Sequence, residues 1–317
     1  MKLEQIETVT VIGLGRMGHG IAQTFAVAGY DVRGFDNCAE ARATVPARIR
    51  SNLADFVAAG MLNADKVEPT LQRITVADSE ADAVAGSQFV VEAIAEDLEV
   101  KRDYFERIED CVTDDTILAS NSSTFTVSLF GENMRNTERA VVTHWFNPPH
   151  IVPTVEVVPG PQTTEEVTET SVALHRRIGK LAIRINGELP GFLVNRVQSA
   201  MIREVWDLYE RGIASAEDID TAIRGSIGFR LALFGPLKIC DFGGIDIWTT
   251  VYNKLAPDLR ADAEVPAIMK AHVEAGDAGM SAGRGIHEYE SIETVTAERD
   301  ELMLKLAKLL QQSSKES

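Results

Sequence analysis

Short runs of consecutive apolar residues alternate along the chain with longer segments in which apolar positions recur every three or four residues. Thr8-Val9-Thr10-Val11-Ile12 is the first run, β-branched and unbroken, as in a strand buried on both faces. From His19 the spacing turns helical, with Ile21, Ala22, Phe25 and Ala26 on one face, and Gly29 stops the helix. A second run, Tyr30 to Phe35, ends in Asp36. Helical segments are predicted over Ala39–Gly60, Ala64–Leu71 and Leu98–Cys111. Further strands are predicted at Ile74–Val76, Phe89–Ile94, Thr116–Ala119, Ala140–Thr143, Thr154–Val158 and Leu181–Ile185. Such alternation belongs to an α/β protein with a doubly wound, mostly parallel sheet. After Asn186 the character changes. Pro190-Gly191 opens a helical pattern running to about Arg211, and nearly everything beyond is helical. The expected division is residues 1–187 and 188–317, the second all-helical, with disorder over the tail 311–317.

The break after the first strand, Gly13-Leu14-Gly15-Arg16-Met17-Gly18, carries the first chemistry. Gly13 allows a tight turn, Gly15 lets backbone approach a pyrophosphate, and Gly18 lets the following helix pack close to the sheet. That helix would face the phosphates with its unpaired N–H groups. Asp36, closing the second strand, can accept hydrogen bonds from both ribose hydroxyls and would repel a 2′-phosphate. Strand, glycines, helix, second strand and acidic terminus fall within one βαβ length, so a Rossmann-type site for NAD rather than NADP is expected.

Composition narrows the partners. The chain has 31 basic against 48 acidic residues, a formal net charge of −17, which argues against nucleic acid or an anionic membrane surface. Cys38, Cys111 and Cys240 are far apart and odd in number, so neither a disulfide framework nor a metal site is expected. No stretch reads as a signal peptide or a membrane span, and a cytoplasmic protein is expected.

A second group of residues follows other predicted strands. His144 stands where an α/β sheet binds ligands, at the C-terminal end of its strand, before Phe146-Asn147-Pro148-Pro149. Glu156 lies between Val155 and Val157 on the next strand, where a buried carboxylate requires a partner. An imidazole N–H would serve, fixing the ring tautomer and stabilising the imidazolium formed when the other nitrogen takes a proton. The plainer alternative is a solvent-facing glutamate and a structural histidine. The remaining histidines, His19, His150, His175, His272 and His287, read as surface or packing residues. Glu96 and Lys101 follow the Phe89 strand and should face the cofactor cleft, or else merely cap a helix. The loop Ser120-Asn121-Ser122-Ser123-Thr124 offers hydroxyls at the same edge. Asn195 sits one turn into an apolar helix, an unusual place unless it bonds something.

With these residues in hand, the chain resembles the 3-hydroxyacyl-CoA dehydrogenase family along nearly its full length. The matching stretches are GLGRMGHGIA, VVEAIAEDLEVK, SNSS, HWFNP, VEVV and PGFLVNR, in the family's order. The resemblance implies a dinucleotide-binding domain followed by a helical domain that forms a homodimer. It implies His144 as general base toward the 3-hydroxyl and Glu156 as its orienting partner. Ser123, Asn147 and Asn195 would position the substrate oxygen, and Glu96 and Lys101 would contact the cofactor. The substrate implied by family frequency is a short-chain thioester such as 3-hydroxybutyryl-CoA, with Arg48 or Arg50 meeting its phosphates. Two departures point instead to relatives acting on free acids, such as gulonate and carnitine dehydrogenases. One is Asn147-Pro148-Pro149-His150. The other is a longer predicted loop, Gly228 to Pro236, in which Arg230 could grip a carboxylate.

Overall fold

The computed structural model describes residues 1–313, with side chains through 310. Among them eight strands form one sheet in the order β3-β2-β1-β4-β5-β6-β7-β8. Their ranges are β1 Thr8–Ile12, β2 Asp31–Phe35, β3 Ile74–Val76, β4 Phe89–Glu92, β5 Ile117–Ser120, β6 Ala140–Trp145, β7 Thr154–Pro159 and β8 Leu181–Arg184. The first six run parallel; β7 is antiparallel to β6, and β8 is parallel to β7. That reversal brings the start of β7 beside the end of β6, with His144 opposite Glu156 in the register.

The helices of this part are α1 Gly18–Val27, α2 Ala39–Ala58, α3 Val67–Gln72, α4 Glu80–Val84, α5 Leu98–Ile108, α6 Val127–Phe130 and α7 Glu165–Arg177. Val9, Val11, Ile21, Ala22 and Phe25 are fully buried, so the unbroken apolar run and the helical stripe meet as their spacing requires. Helices α5 and α7 start on side-chain caps: Asp97 accepts from the Val100 amide, and Thr164 from the Val167 amide. Helix α4, capped by Ser79, was not expected from the pattern, because one turn is too short to show a period.

Two compact units result. The first comprises Met1–Arg196 with Met303–Lys308, and the second Val197–Leu302 with Leu309 onward. The chain crosses between them inside α8, Val194–Glu210, rather than at the composition change near Gly187. The first unit keeps Phe192, 1% exposed, and the opening turn of α8, whose amides bond into the sheet. The second unit contains α9 Ala216–Ile223, α10 Phe229–Leu231, α11 Pro236–Gly243, α12 Ile245–Leu255, α13 Ala267–Glu274 and most of α14 Ile292–Ser313. A π-helical turn over Arg224–Gly228 runs directly into α10, so the expected loop around Arg230 is largely helical. In the expected disordered tail, residues 311–313 continue α14, and residues 314–317 lie outside those described. Leu304 and Ala307 of α14 are buried in the first unit, where Lys308 donates to the Ala59 carbonyl at 2.9 Å.

Candidate active site

At the C-terminal ends of β1, β2 and β4 the sheet order reverses, and a cleft of about 1090 Å³ opens there. Gly13 has φ +88°, and a Cβ on it would stand 2.4 Å from the Ala93 carbonyl oxygen. A Cβ on Gly18 would meet the Gly13 oxygen at 1.7 Å. These two glycines are required by backbone packing. Gly15 differs: nothing lies within 4 Å of its missing side chain. Its open face lines the cleft beside α1, together with Gly13, Arg16, Met17 and Asp36. The Asp36 carboxylate is held by two amides, Leu14 N to Oδ2 at 2.7 Å and Cys38 N to Oδ1 at 2.8 Å. A dinucleotide fits this arrangement, with backbone exposed for the pyrophosphate and a fixed acceptor for the ribose.

Three expected cofactor residues do not line this cleft: Gly18, taken up by packing against Gly13, and Leu14 and Lys101. Leu14 is fully buried, and its side chain occupies the space beside Gly34, where a Cβ would be 2.9 Å from Leu14 Cδ2. Its N–H is committed to Asp36, so Leu14 shapes the loop from beneath. Lys101 is 1% exposed and pairs with Glu92 at 2.6 Å and Glu96 at 3.2 Å. The first turn of α5 points it inward, because Glu92, fully buried at the end of β4, needs a counter-charge. Glu92 also accepts from Ser120 Oγ at 2.6 Å and the Ile94 amide at 2.8 Å. Sequence reading did not single out Glu92; its signal was an acidic residue at the end of a run otherwise apolar.

Glu96 does line the cleft. Its Oε1 accepts from Ser122 Oγ at 2.7 Å, the Ser123 amide at 2.8 Å and Ser123 Oγ at 3.2 Å. Burial pushes this carboxyl up, but the Ser122 hydroxyl, the Lys101 charge and the Ser123 amide outweigh it and hold it below the ordinary range. Asn195 donates from Nδ2 to the Ser123 carbonyl at 3.3 Å. Ser123, Glu96 and Asn195 are therefore drawn together at one edge of the sheet.

His144 and Glu156 form the second centre. Nδ1 and Oε2 are 2.8 Å apart, and both residues are buried. A carboxylate only accepts, so Nδ1 carries the proton and Nε2 is left as the basic nitrogen. Nε2 has no protein hydrogen-bond partner among the described residues. The ring is packed by Phe146 and Phe192, with centroids at 4.4 and 5.7 Å. Glu156 Oε1 accepts from the Leu193 and Val194 amides at 3.0 and 2.9 Å, at the N-terminus of α8. Burial pushes Glu156 up; the hydrogen bonds from His144 and these amides prevail and hold it below the ordinary carboxylate value. Phe192, with φ +49°, makes the turn that aims the amides. Asn147 lies just beyond β6 with an exposed side chain.

The arginines separate. Arg48 donates to the carbonyls of Leu14, Gly15 and Ala41, bracing the glycine loop, and Arg50 pairs with Glu68. Arg230 belongs to the second unit, where it is exposed and donates to the Ser226 carbonyl at 3.2 Å. Among the described residues no His/Cys/Asp/Glu cluster could hold a metal, and no helix is long and apolar enough to cross a membrane.

Comparison with known proteins gives the same frame. Residues 8–188 match the NAD binding domain of 3-hydroxyacyl-CoA dehydrogenase, and residues 191–289 match its C-terminal domain. The chain is 32% identical over 310 residues to 5-formyl-3-hydroxy-2-methylpyridine 4-carboxylate 5-dehydrogenase of Mesorhizobium japonicum, covering 96% of this chain and 99% of that one. A solved structure of an enzyme of that name, described as an NAD+ dependent dismutase, superposes with a TM-score of 0.90 at 31% identity, covering 96% of this chain and 99% of the other. The (S)-3-hydroxybutyryl-CoA dehydrogenase of Ralstonia eutropha superposes with a TM-score of 0.74 at 30% identity, covering 90% of this chain and 100% of the other. The first unit binds NAD, and the chain belongs to the 3-hydroxyacyl-CoA dehydrogenase family.

Proposed function

We propose that this protein oxidises the hydroxyl of a small hydroxy carboxylic acid to the corresponding keto acid, with NAD as acceptor and His144 as general base. The reading is carried by the His144–Glu156 hydrogen bond of 2.8 Å, which leaves Nε2 as the free base at the edge of a dinucleotide-binding sheet. Bound NAD supplies the nicotinamide that accepts the hydride from the carbinol carbon. His144 Nε2 takes the hydroxyl proton, so that the C–H and O–H bonds break as C=O forms. Glu156 holds Nδ1–H and offsets the positive charge on the ring. Ser123, Asn147 and Asn195 position the reacting oxygen. Glu96 and Lys101 organise the loop between this oxygen and the cofactor, Lys101 doing so from within.

Three observations favour a free acid. Arg48 is engaged by carbonyls of the glycine loop and Arg50 is paired with Glu68 at the surface, so neither is an uncommitted cation for coenzyme A phosphates. The likeness to the pyridine carboxylate enzyme covers more of this chain than the likeness to the thioester enzyme, with TM-scores of 0.90 and 0.74. The net charge of −17 is unsuited to a polyanionic thioester. The family description itself supports the second reading, a short-chain 3-hydroxyacyl-CoA. NADH formation on matched pairs, 3-hydroxybutyrate against its CoA thioester and a hydroxymethyl pyridine carboxylate against its amide, separates the two. Turnover of the thioester with none on any free acid would overturn the first.

A further inference from the structure

We propose that Lys180 is a positioning residue for the His144–Glu156 pair, its ammonium fastening the connection between the two strands that carry them. The inference rests on the reading of that pair as the reacting centre. β6 and β7 are joined by residues 146–153, and the His144–Glu156 pair lies one position inside the last pair of the ladder, Trp145 with Val155. The connection is a single wound turn. Ile151 and Val152 donate their amides to the Pro148 carbonyl at 3.0 and 2.9 Å. Two other carbonyls of the turn face the protein interior, and Lys180 Nζ donates to both, to Pro149 at 2.6 Å and Val152 at 2.7 Å.

The lysine comes from the neighbouring connection, between α7 and β8. It follows α7 and immediately precedes β8, the edge strand, whose Leu181 amide donates to the Pro153 carbonyl at 2.8 Å. Its side chain passes beneath Trp145, with Nζ 5.1 Å from the ring centroid. Lys180 is 6% exposed, and burial lowers it to about 7. An apolar side chain of the same length would fill that channel without desolvating a charge. What the ammonium adds is two directed bonds to the turn that spaces His144, Asn147 and Glu156.

The test uses full-length protein labelled with 15N-histidine, and compares wild type, His144→Ala, Lys180→Met and Lys180→Arg. The His144 side-chain N–H resonance is identified by its loss in His144→Ala. In Lys180→Met it should shift or broaden, and turnover of 3-hydroxybutyrate or its thioester should fall at least tenfold. NAD affinity by fluorescence should stay within twofold, because β1 is separated from β6 by β4 and β5. Lys180→Arg, which keeps the cation, should recover most of both signals. An unmoved resonance in Lys180→Met overturns the inference, as does a parallel loss of NAD affinity or failure of Arg to rescue. If Lys180→Met does not fold, Lys180→Arg decides, and loss of the fold in both makes Lys180 a core residue only. An active His144→Ala would instead overturn the proposed function, whatever the resonance does.

Discussion

At Asp36 both carboxylate oxygens are held by backbone amides, which leaves the charge fixed at the end of β2. NAD should therefore be preferred over NADP, and Asp36→Ala should weaken NAD binding and narrow the preference; equal turnover of wild type with both cofactors would remove the assignment. His144→Ala should lower turnover by roughly 10²–10⁴-fold with NAD binding retained, the usual worth of a positioned general base. Glu156→Gln should cost less than that and far more than an exposed substitution. The glycines were legible in the sequence because backbone geometry sets their duties. His144 and Glu156 were legible as a pair because a lone carboxylate inside an apolar strand needs a partner. Leu14 and Lys101 were not, since position near a strand end names the edge of the sheet but not the direction in which a side chain turns. Lys180 gave no signal at all, because its partners are carbonyls, which any sequence supplies.

Among the elements, strands were legible to within a residue or two, and the antiparallel turn of β7 was not. Direction depends on the connection between β6 and β7, and a turn built on Pro148 and Pro149 does not state its length in hydrophobic spacing. The segment around Arg230 illustrates the opposite error. The resemblance suggested a longer loop from Gly228 to Pro236, yet a π-helical turn carries the helix through Gly228 into α10. Arg230 is thereby placed on a regular element, exposed on its own unit. If the substrate is a free acid gripped by this guanidinium, Arg230→Ala should reduce kcat/KM about ten- to a hundredfold, the worth of about 1.5–3 kcal/mol for a charge-assisted hydrogen bond. Unchanged kcat/KM on the acid would assign the carboxylate to another cation.

For the whole molecule, the two units differ in how well they bury themselves. In residues 197–302 only Ile219 and Pro266 are buried, while Phe229, Leu237, Phe242, Ile245 and Tyr252 are each more than 60% exposed. An apolar surface of this kind calls for a cover, and a second copy of the chain is the proposed one, in keeping with the homodimer expected from the resemblance. Light scattering at working concentrations should give twice the chain mass of 34.6 kDa, and a monomer would count against it. Stability should also depend on pH through His175. Burial lowers this histidine to about 4 against 6.5, with the Ser171 carbonyl opposing and the Lys180 charge adding to the effect. The unfolded chain therefore binds more protons between those values, and stability falls as pH drops from 6.5 to about 4 and then levels. The loss is roughly 3 kcal/mol. Denaturant midpoints at pH 7 and 5 should differ markedly less in His175→Leu than in wild type.

Glu156 serves two neighbours at once, imidazole on one oxygen and the opening amides of α8 on the other. Both neighbours are donors, and they approach from different sides. Only a side chain with two equivalent acceptors can satisfy them, and among the amino acids only a carboxylate has that symmetry. Glutamine has one oxygen and one NH2; with its oxygen on the α8 amides, the NH2 faces Nδ1, which must then accept and leave the ring proton on Nε2. Aspartate keeps the symmetry and loses the reach. The same oxygen pair joins chemistry to architecture: α8 is the helix inside which the chain passes from the first unit to the second. If His144 is the proposed base, each proton it takes changes the charge facing one oxygen of Glu156, while the other oxygen holds the first amides of that helix.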